Sequence, residues 1–584
     1  MAEEDWPLGL SIFHYDLRSS DIYCEAWVAR GGCYNASLVQ VQAPRRGKHT
    51  MSIADTIADL SNFSQSQFVG KTVTTSSEGI VAAQHRVAAM AGAATLAEGG
   101  NAVDAAIATS FTIGVAEPWM SGPGGGGAMM VYKAETNETS VIDFNMRSPG
   151  GLDPADFPLI DGVADDLFPW TRVRGDRNLK GATAIAVPGL VDGMATAHAK
   201  HATMFWKDLL QPAIALAEVG PCIDWYTSLM TLACVSDLAV DPEASRVFLP
   251  RGNAPTAPWT AVGGERLDFS AMAKTLKRLA EAGPREYYEG ELARLIANDV
   301  QRMGGSLRLS DLQSYHAREM APLIYNHGDA ELRLSPELTA GSTMAAALEG
   351  VDLKSYAQSP GQPVAADFRQ LARAIHNAQD VRLGTMGDVD GGRAQTCTTS
   401  FSVVDKWGNM VVVTQTLLSI FGSKVVLPES GLLMNNGILW FDPEPGNPNS
   451  LGPNKRCLTN ICPVIGVDGA RMFGLGASGG RKIMSAVLQL TSFLTDFGMS
   501  LEEAFHQGRI DCSLADHVIV DETLPKDVVA EIDQDFPTVR TKRTVYPYAF
   551  GCPSGVIRNG DENQGITEIS SPWGDAVSET QVSG

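Results

Sequence analysis

The residues best suited to do chemistry in this 584-residue chain are Cys397, Thr398 and Thr399, which open the run Cys-Thr-Thr-Ser-Phe. A threonine hydroxyl is a weak nucleophile at neutral pH and needs a base within hydrogen-bond reach. If the bond before Thr398 were cut, the freed α-amine, with a pKa of roughly 7.7–8.0, would supply that base on the same residue. The pattern therefore suggests a chain that cleaves itself between Cys397 and Thr398 and then uses Thr398 as its nucleophile.

A purely structural explanation competes with this one. Residues 398–404 and 410–416 are rich in β-branched side chains and are joined by Trp-Gly-Asn, which is typical of a β-hairpin. The ten histidines show no metal-ligand spacing, and none stands in a Ser-His-Asp pattern. Taken alone, the segment fits an ordinary hairpin. Other parts of the chain must show whether it also carries a nucleophile.

Several other motifs follow one another in a fixed order over residues 78–575. They are Gly-Gly-Asn-Ala-Val-Asp-Ala-Ala at 99–106, Glu-Pro at 117–118, Ser-Gly-Pro-Gly-Gly-Gly at 121–126, Phe-Gly-Ser at 421–423, Asn-Asn at 435–436, Pro-Asn-Lys-Arg at 453–456 and Gly-Gly at 479–480. With the Thr-Thr-x-Phe-Ser-Val-Val-Asp strand at 398–405, the series resembles the γ-glutamyltransferase family of N-terminal-nucleophile hydrolases.

This resemblance implies an α/β (α+β) fold, a four-layer αββα sandwich of two stacked sheets between helix layers. It also implies autocleavage into a large subunit, 78–397, and a small subunit, 398–584, with residues 1–77 as an N-terminal extension of unknown role. The two pieces of one precursor would form a heterodimer, and a dimer of such pairs is a further option.

The resemblance also assigns catalytic roles. Thr398 would be the nucleophile, and Thr416, on the next strand, would lie beside it. Gly479 and Gly480 would offer backbone N–H groups to the oxyanion, since two glycines let the backbone approach a reacting carbonyl without a Cβ in the way. Thr399 matches the family's second threonine, whereas the following Ser400 replaces its usual histidine.

The substrate contacts depart from the family pattern. The arginine that holds the α-carboxylate of a γ-glutamyl group is replaced by Asn145, and the serine pair beside it by Thr459 and Asn460. The positions that meet the α-amino group are Leu418 and Trp440. A zwitterion buried without charged partners is costly, so this pocket is not of the usual γ-glutamyl type. The substrate-binding positions carried over are Asn145, Thr399, Leu418, Asn436, Trp440, Thr459 and Asn460.

Other residues suggest what the pocket accepts instead. Leu418, with Ile438, Leu439 and Trp440, would form an apolar wall, although strand alternation would also place some of these side chains in the core. Two cations, Arg147 and Arg481, lie close in sequence to the altered positions. We therefore expect an acyl donor with an acidic group reached by Arg481 and an apolar or aromatic body against Trp440.

The segment before the junction is short. Family members commonly place several dozen residues between an Asp-Arg-like helix end and the nucleophile, whereas Asp380-Val381-Arg382-Leu383-Gly384 precedes Thr398 by only fourteen positions here. The family's Pro-x-Ser-Ser-Gly-Gly loop is also altered, at 336–342. The segment before Thr398, whose end must move away after cleavage, is therefore expected to be shorter than in the family.

Composition limits the possible partners. A net charge of −22 and a pI near 4.9 disfavour nucleic acid and anionic membranes. No run of 18 apolar residues occurs, and the acidic start lacks the basic and apolar parts of a signal peptide. Nine scattered cysteines show neither zinc nor disulfide spacing. We expect a cytoplasmic protein with reduced thiols, a small amide substrate, and no metal or cofactor.

Local patterns around the first motifs predict two helices. Residues 81–98 read as an alanine-rich helix ended by Gly99-Gly100, and Asn101 should cap the next helix, with Asp104 in its first turn. The glycine run 122–127 lacks the Gly-Lys-Ser/Thr ending of a phosphate loop, and we interpret it as a tight backbone passage.

Three functions remain open from the sequence. The first is a self-cleaving amidase or acylase that forms an acyl-enzyme at Thr398 and passes the acyl group to water or an amine. The second is a true γ-glutamyltransferase or glutathione hydrolase with a rebuilt clamp. The third is an uncleaved, inactive relative that acts as a binding protein.

Overall fold

The structure is a computed structural model that describes residues 23–26, 37–40, 64, 66–163, 170–258, 264–386, 397–514, 516–546 and 548–582. Residues 1–59 form one compact unit and 60–584 another. The first contains an antiparallel pair, β1 (Tyr23–Ala26) and β2 (Ser37–Gln40). The rest of the predicted extension lies largely outside the described residues. Its last part does not, because β3 (Thr74–Ser76) already belongs to a large sheet of the second unit.

The strands of the second unit follow in chain order. They are β3 (Thr74–Ser76), β4 (Ile80–Ala83), β5 (Gly126–Lys133), β6 (Glu138–Asp143), β7 (Leu159–Val163), β8 (Thr171–Val173), β9 (Arg318–Met320), β10 (Leu323–His327), β11 (Ala330–Leu334), β12 (Cys397–Val404), β13 (Met410–Leu418), β14 (Val464–Asp468), β15 (Arg471–Ser478), β16 (Ile510–Asp511), β17 (Val518–Asp521), β18 (Thr538–Thr541), β19 (Cys552–Asn559), β20 (Glu562–Thr567) and β21 (Asp575–Ser578).

The α-helices of the same unit lie mainly between these strands. They are α1 (Arg86–Ala97), α2 (Ala102–Ala116), α3 (Leu190–His201), α4 (Trp206–Leu209), α5 (Gln211–Val219), α6 (Trp225–Ala233), α7 (Val235–Leu238), α8 (Pro242–Phe248), α9 (Ser270–Ala282), α10 (Glu291–Arg302), α11 (Leu309–Gln313), α12 (Gly341–Glu349), α13 (Ala365–Met386), α14 (Lys482–Thr495), α15 (Leu501–His506) and α16 (Lys526–Ile532).

Two seven-stranded sheets organise the unit. The nucleophile sheet has the strand order β21-β4-β12-β13-β5-β6-β9, and the second sheet has the order β10-β11-β14-β15-β19-β20-β3. Smaller sheets join β16-β17-β18 and β7-β8. The strand that carries Thr398 is thus central in its sheet, with β4 and β13 on either side.

The buried apolar clusters show how these sheets are layered. One cluster joins alternate side chains of the nucleophile sheet, such as Phe401 and Val413, to α1, α2 and the helices of the following region. A second joins the other sheet to α12, α13 and α14. A third joins the two sheets, with Val404 and Val412 on one side and Ile465 and Val556 on the other. Each sheet therefore has one face toward helices and one toward the other sheet, which confirms the αββα sandwich.

The predicted hairpin is present. β12 and β13 pair antiparallel, with Val404 opposite Met410 and Ser400 opposite Thr414. Gly408 adopts a positive φ of 88° in the turn, a conformation that glycine reaches without strain. The register shifts between Cys397 and Thr399, so the strand becomes irregular at the proposed cleavage point.

The first two predicted helices are confirmed, with one correction. Residues 80–83 form β4, and α1 begins only at Arg86, because a central strand of the sheet claims these apolar residues. Gly99 then takes the left-handed conformation, with a φ of 95°. Asn101 and Asp104 form a reciprocal capping box at the start of α2, as the pattern predicts.

Two further properties of the described residues concern membrane-spanning helices and disulfides. In the described part of the chain, no helix combines the length and apolarity needed to cross a bilayer. Among the described residues, five cysteines form no disulfide: Cys222, Cys457, Cys462, Cys512 and Cys552.

Candidate active site

Thr398 and Thr416 meet on neighbouring strands. The Thr398 hydroxyl donates to the Thr416 Oγ1 across 3.4 Å, and the Thr416 Oγ1 also accepts the Leu418 N–H at 2.8 Å. Both threonines are buried. The fold therefore brings together the two hydroxyls that the sequence assigned to one catalytic site.

Strand alternation explains why these hydroxyls share a face. Val412 faces the second sheet, so Thr416, four residues further along the regular part of β13, faces it too, and the Thr398 hydroxyl reaches Thr416 from the irregular start of β12. The intervening residues turn to the helix layer, where the Gln415 side chain accepts a 2.6 Å hydrogen bond from Ser110 of α2. Thr399 lies opposite Gln415 in the register and is fully buried. The two adjacent threonines therefore serve opposite faces of one strand.

The predicted oxyanion glycines lie between β15 and α14. Gly479 and Gly480 have φ angles of 124° and 56°. In the described part of the chain, neither N–H has a hydrogen-bond acceptor. Their position follows from the stacking of the sheets, because Gly474 lies against Met410 and Gly476 lies against Ser400. The residues that face β15 thus run from Met410 to Ser400 as the strand runs from Gly474 to Gly476. The end of β15, followed by Gly479, therefore lies at the end of the sandwich where Thr398 lies.

The glycine run before β5 is the tight passage that the sequence predicts. A Cβ on Gly125 would collide with the Thr416 carbonyl oxygen, and one on Gly127 with the carbonyl oxygen of Thr414. β5 pairs with β13 over this stretch. Glycine there lets two strands approach closely and so holds the Thr416 backbone in place.

The three positions that hold the substrate α-carboxylate in the family, Asn145, Thr459 and Asn460, carry neutral side chains. Asn145 is 3% exposed and donates from Nδ2 to the Asp143 Oδ1 at 2.8 Å, while its Oδ1 has no partner among the described residues. The buried Asn460 Nδ2 likewise has no partner in the described part of the chain. Thr459 is held by its backbone, since its carbonyl accepts a 2.6 Å bond from Arg382 of α13. Two unsatisfied amide atoms thus remain for a ligand.

Arg147, which its position in the sequence suggested as a compensating cation, forms several contacts within the protein. Its guanidinium donates to the Asp311 carbonyl at 2.9 Å and to the Ser314 hydroxyl at 2.8 Å, and it lies over the Tyr315 ring. These contacts tie the segment after β6 to α11. The guanidinium is therefore engaged by the fold, and its substrate contact stays a prediction.

Asn436 is also used internally. Its Oδ1 accepts the Ser419 N–H at 3.0 Å, and its Nδ2 donates to the Ser419 hydroxyl at 2.8 Å and to the Leu179 carbonyl at 2.9 Å. Both ends of the amide are occupied, so Asn436 fixes the loop after β13. A direct substrate contact from this side chain is therefore not what the structure indicates.

Leu418 and Trp440 lie together in a separate apolar cluster. Trp440 ends a short 3₁₀ turn (Gly437–Trp440) and is 3% exposed. Its neighbours in the cluster include Met146, Ile438 and Leu439. Leu418 has a positive φ of 88°, a strained conformation for a branched residue, at the point where β13 ends two residues after Thr416. The apolar character of this region is confirmed, and its role as an acyl-pocket wall stays a prediction.

Arg481 follows the glycines directly. It is 8% exposed, and its guanidinium forms no hydrogen bond or ion pair with any described residue. Its charge is felt at His376, whose pKa is lowered by burial and further by Arg481, against the opposite effect of Asp380. Arg481 also acts on the buried Asp511 carboxyl: burial raises the pKa of that carboxyl, and the charges of Lys482 and Arg481 lower it. Arg481 is therefore a buried cation next to the predicted oxyanion site, near one buried carboxyl but without a hydrogen bond to a described residue.

One residue of the site was not assigned a role from the sequence. Glu117 closes α2, whose residues are otherwise all buried and uncharged apart from Asp104 in its cap. Burial raises the pKa of the Glu117 carboxyl to about 8, and Asp224 adds to this, whereas the neighbouring Thr399 hydroxyl lowers it. The only sequence signal was a carboxylate at the end of an apolar, alanine-rich helix.

The αββα sandwich, with Thr398 near the start of a central strand and Thr416 near the end of the neighbouring one, is the arrangement of the N-terminal-nucleophile class of hydrolases. The γ-glutamyltranspeptidase family model matches residues 88–397 and 369–578. The chain belongs to the γ-glutamyltranspeptidase family.

Individual relatives agree with this membership. The chain is 30% identical over 523 residues to a glutathione hydrolase proenzyme of Bacillus subtilis, covering 79% of this chain and 85% of the relative. It is 32% identical over 477 residues to the acylase ACY 1 proenzyme of a Pseudomonas strain, covering 75% and 83%. The cephalosporin acylase structure from Bacillus halodurans superposes with a TM-score of 0.75 at 22% identity, covering 88% and 98%, which shows the shared fold.

Proposed function

We propose that this protein cleaves itself before Thr398 and then transfers acyl groups from amides to water or an amine through an ester on the Thr398 hydroxyl. The observation that carries the proposal is the 3.4 Å contact between the Thr398 and Thr416 hydroxyls on the face toward the second sheet. Membership of the family supports it, and the relatives named above are proenzymes.

The maturation step is an attack by the Thr398 Oγ1 on the carbonyl carbon of Cys397. The C–N bond breaks as the C–O bond forms, and the hydroxyl proton passes to the departing nitrogen. Water then hydrolyses the resulting ester and leaves a free amine on Thr398 and a carboxylate on Cys397. The irregular register at Cys397 supports this, because the peptide bond there lies outside the regular strand pairing.

The mature site would repeat this chemistry on a substrate. The Thr398 amine takes the hydroxyl proton as Oγ1 attacks the amide carbonyl, and then gives it to the leaving amine. The N–H groups of Gly479 and Gly480 would stabilise the oxyanion, because donors already oriented in a dry site need no reorganisation. Thr416 holds the nucleophile and, after cleavage, has a hydroxyl within reach of the new amine.

The pocket supports an acyl donor other than γ-glutamyl. Asn145 and Asn460 offer one neutral acceptor and one neutral donor where a γ-glutamyl enzyme needs charges. The guanidinium of Arg147 is occupied, whereas that of Arg481 is not. A donor with an apolar or aromatic body against Trp440 and an acidic group at Arg481 matches this arrangement.

A denaturing gel and intact-mass measurement test the proposal. Active protein should separate into pieces of roughly 42 and 20 kDa, from scaling the 62.2 kDa mass by length. Thr398→Ala should stay whole and lack turnover, and Thr398→Ser should keep both at reduced rate. Cleavage or turnover in Thr398→Ala would refute the nucleophile, and a wild-type chain that never cleaves would favour a binding protein.

A true γ-glutamyl enzyme is the second candidate, favoured by the similarity to glutathione hydrolase proenzymes. Release of the aromatic amine from γ-glutamyl anilides, compared with anilides of dicarboxylic acids lacking the α-amino group, separates the two. Preference for the γ-glutamyl compound would show that the clamp has been rebuilt. Preference for the simpler acid would support the acylase assignment.

A further inference from the structure

The carboxyl group of Glu117 is buried and poorly satisfied. Glu117 is 3% exposed, and its Oε2 has no hydrogen-bond partner among the described residues. Its backbone N–H is used by α2, where it donates to the Ile113 carbonyl at 2.8 Å. An ionised carboxylate without a cation is costly in such a place. The geometry therefore favours a neutral carboxylic acid.

Thr399 is the group on the nucleophile strand that lies next to this acid. The hydroxyl of Thr399 interacts with the Glu117 carboxyl, yet the two do not reach the geometry of a full hydrogen bond. Thr399 itself is fully buried and directly follows the proposed nucleophile. A neutral acid can both donate to and accept from a hydroxyl, whereas a carboxylate can only accept.

The other titratable groups near Glu117 cannot neutralise it. Asp224, which caps α6, contributes a second negative charge, and its Oδ1 accepts hydrogen bonds from Thr227 while its Oδ2 accepts from the Trp573 indole. Cys552 at the start of β19 is the remaining neighbour, and burial raises the pKa of its thiol. Of these two groups, Asp224 would oppose a charge on Glu117, and the neutral Cys552 thiol would not offset one.

We propose that Glu117, as a neutral acid, is a positioning residue that holds Thr399 and thereby aligns the Thr398 nucleophile from the helix side of the sheet. This rests on the proposed function, since it needs Thr398 to be the nucleophile. Ionisation of Glu117 would place a charge beside Asp224, draw water toward the carboxylate and shift the start of β12. Glu117 exchanges no proton with the substrate, and its effect passes through Thr399.

The pH dependence of kcat tests this with the full-length, self-cleaved protein. Wild type should give a bell-shaped profile, with an acidic limb from the Thr398 amine and an alkaline limb whose midpoint lies near pH 8, where Glu117 ionises. Glu117→Gln cannot ionise and should lose the alkaline limb, so that its ratio of kcat at pH 9.5 to kcat at pH 7 exceeds the wild-type ratio by about tenfold. An alkaline limb that persists unchanged in Glu117→Gln would overturn the proposal.

Further variants separate positioning from folding. Glu117→Leu and Thr399→Val should each lower kcat by about 10²-fold with little change in KM, and the double variant should lose no more than either alone. Additive losses would show that the two side chains act independently. Asp241→Asn is the matched control, because burial also raises the pKa of Asp241, which caps α8 away from the nucleophile, and its profile should match wild type.

The test also separates this inference from the proposed function. Turnover in Thr398→Ala would remove the nucleophile and with it the role of Glu117. An inactive Thr398→Ala beside an unaltered profile in Glu117→Gln would leave the nucleophile in place and reject Glu117 alone.

Discussion

The Oγ1 atoms of Thr398 and Thr416 lie 3.4 Å apart on adjacent strands, both on the face that packs against the second sheet. This places one hydroxyl at the proposed cleavage point and the other where it can hold that hydroxyl before the cut and the new amine after it. Under the proposed function, this one contact would serve both maturation and turnover.

Removal of the second hydroxyl should impair both steps. Thr416→Val keeps the shape of the side chain and deletes the group that contacts Thr398, so cleavage and kcat should fall by about ten- to a hundredfold, the usual loss for a hydrogen bond to a charged or reacting group. Rates of band separation on gels and of amide hydrolysis measure the two effects. Thr414→Val, two residues earlier on the same face, is the control and should retain most activity. Equal effects of the two substitutions would contradict the role of Thr416.

Gly479→Ala tests the oxyanion site. The backbone there has a φ of 124°, so a Cβ strains the turn and moves its N–H, and kcat should fall by about 10²- to 10³-fold with little change in KM. Gly498→Ala, with a φ of 65° and open space around its Cα, carries a comparable strain outside the site. It should cost about 1 kcal/mol of stability and leave kcat near wild type. A similar loss of kcat in both would indicate general destabilisation.

Arg481 should discriminate between acidic and neutral acyl donors. Arg481→Met removes the unpaired buried charge, so KM for donors with a terminal carboxylate should rise by about ten- to a hundredfold. Neutral amides of the same length should be affected little, and Arg481→Lys should restore part of the preference. Steady-state kinetics on paired donors gives the comparison. An unchanged KM for every acidic donor would remove Arg481 from the pocket.

Glu117 should make the protein less stable as pH rises. Its pKa is about 8 when folded and near 4.5 when unfolded. Between these values the unfolded chain has lost the proton that the folded state keeps, so raising the pH favours unfolding by roughly 1 kcal/mol per pH unit. The stability that Glu117 contributes by keeping its proton in the folded state is fully present below pH 4.5 and is lost as the pH rises through 8.

Urea titrations at several pH values measure this effect in an uncleaved Thr398→Ala background. Adding Glu117→Gln should flatten the pH dependence across that window and make the variant more stable than its parent at pH 8. Parallel curves for the two proteins would show that Glu117 is ionised in the folded state.

Much of the nucleophile region could be predicted from local sequence. The alternation around residues 398–416 specifies a hairpin, because only one register puts Phe401 and Val413 against the helices. The capping box at Asn101 and the stop at Gly99 follow from local backbone chemistry in the same way. The predicted start of α1 was wrong, because residues 80–83 pair as strand β4 within the sheet, and this pairing outweighed their preference for a helix.

The substrate side could not be predicted in the same way. Arg147 and Arg481 are both arginines close to altered positions, and nothing in their neighbours along the chain tells them apart. α11, more than 160 residues from Arg147, supplies the carbonyl and hydroxyl that occupy its guanidinium. Asn436 is likewise committed by Ser419 and by Leu179, a residue far away in the chain.

The order of motifs was therefore enough to establish the family, and through that resemblance to predict Thr398 as nucleophile, Thr416 as its hydroxyl partner and Gly479 and Gly480 as the oxyanion glycines. Which polar groups are satisfied by the protein and which remain for a ligand depended on tertiary packing alone. Hydrogen-bond partners and burial come from segments distant in sequence, and these engage Arg147 in hydrogen bonds, bury Arg481 and raise the pKa of the Glu117 carboxyl.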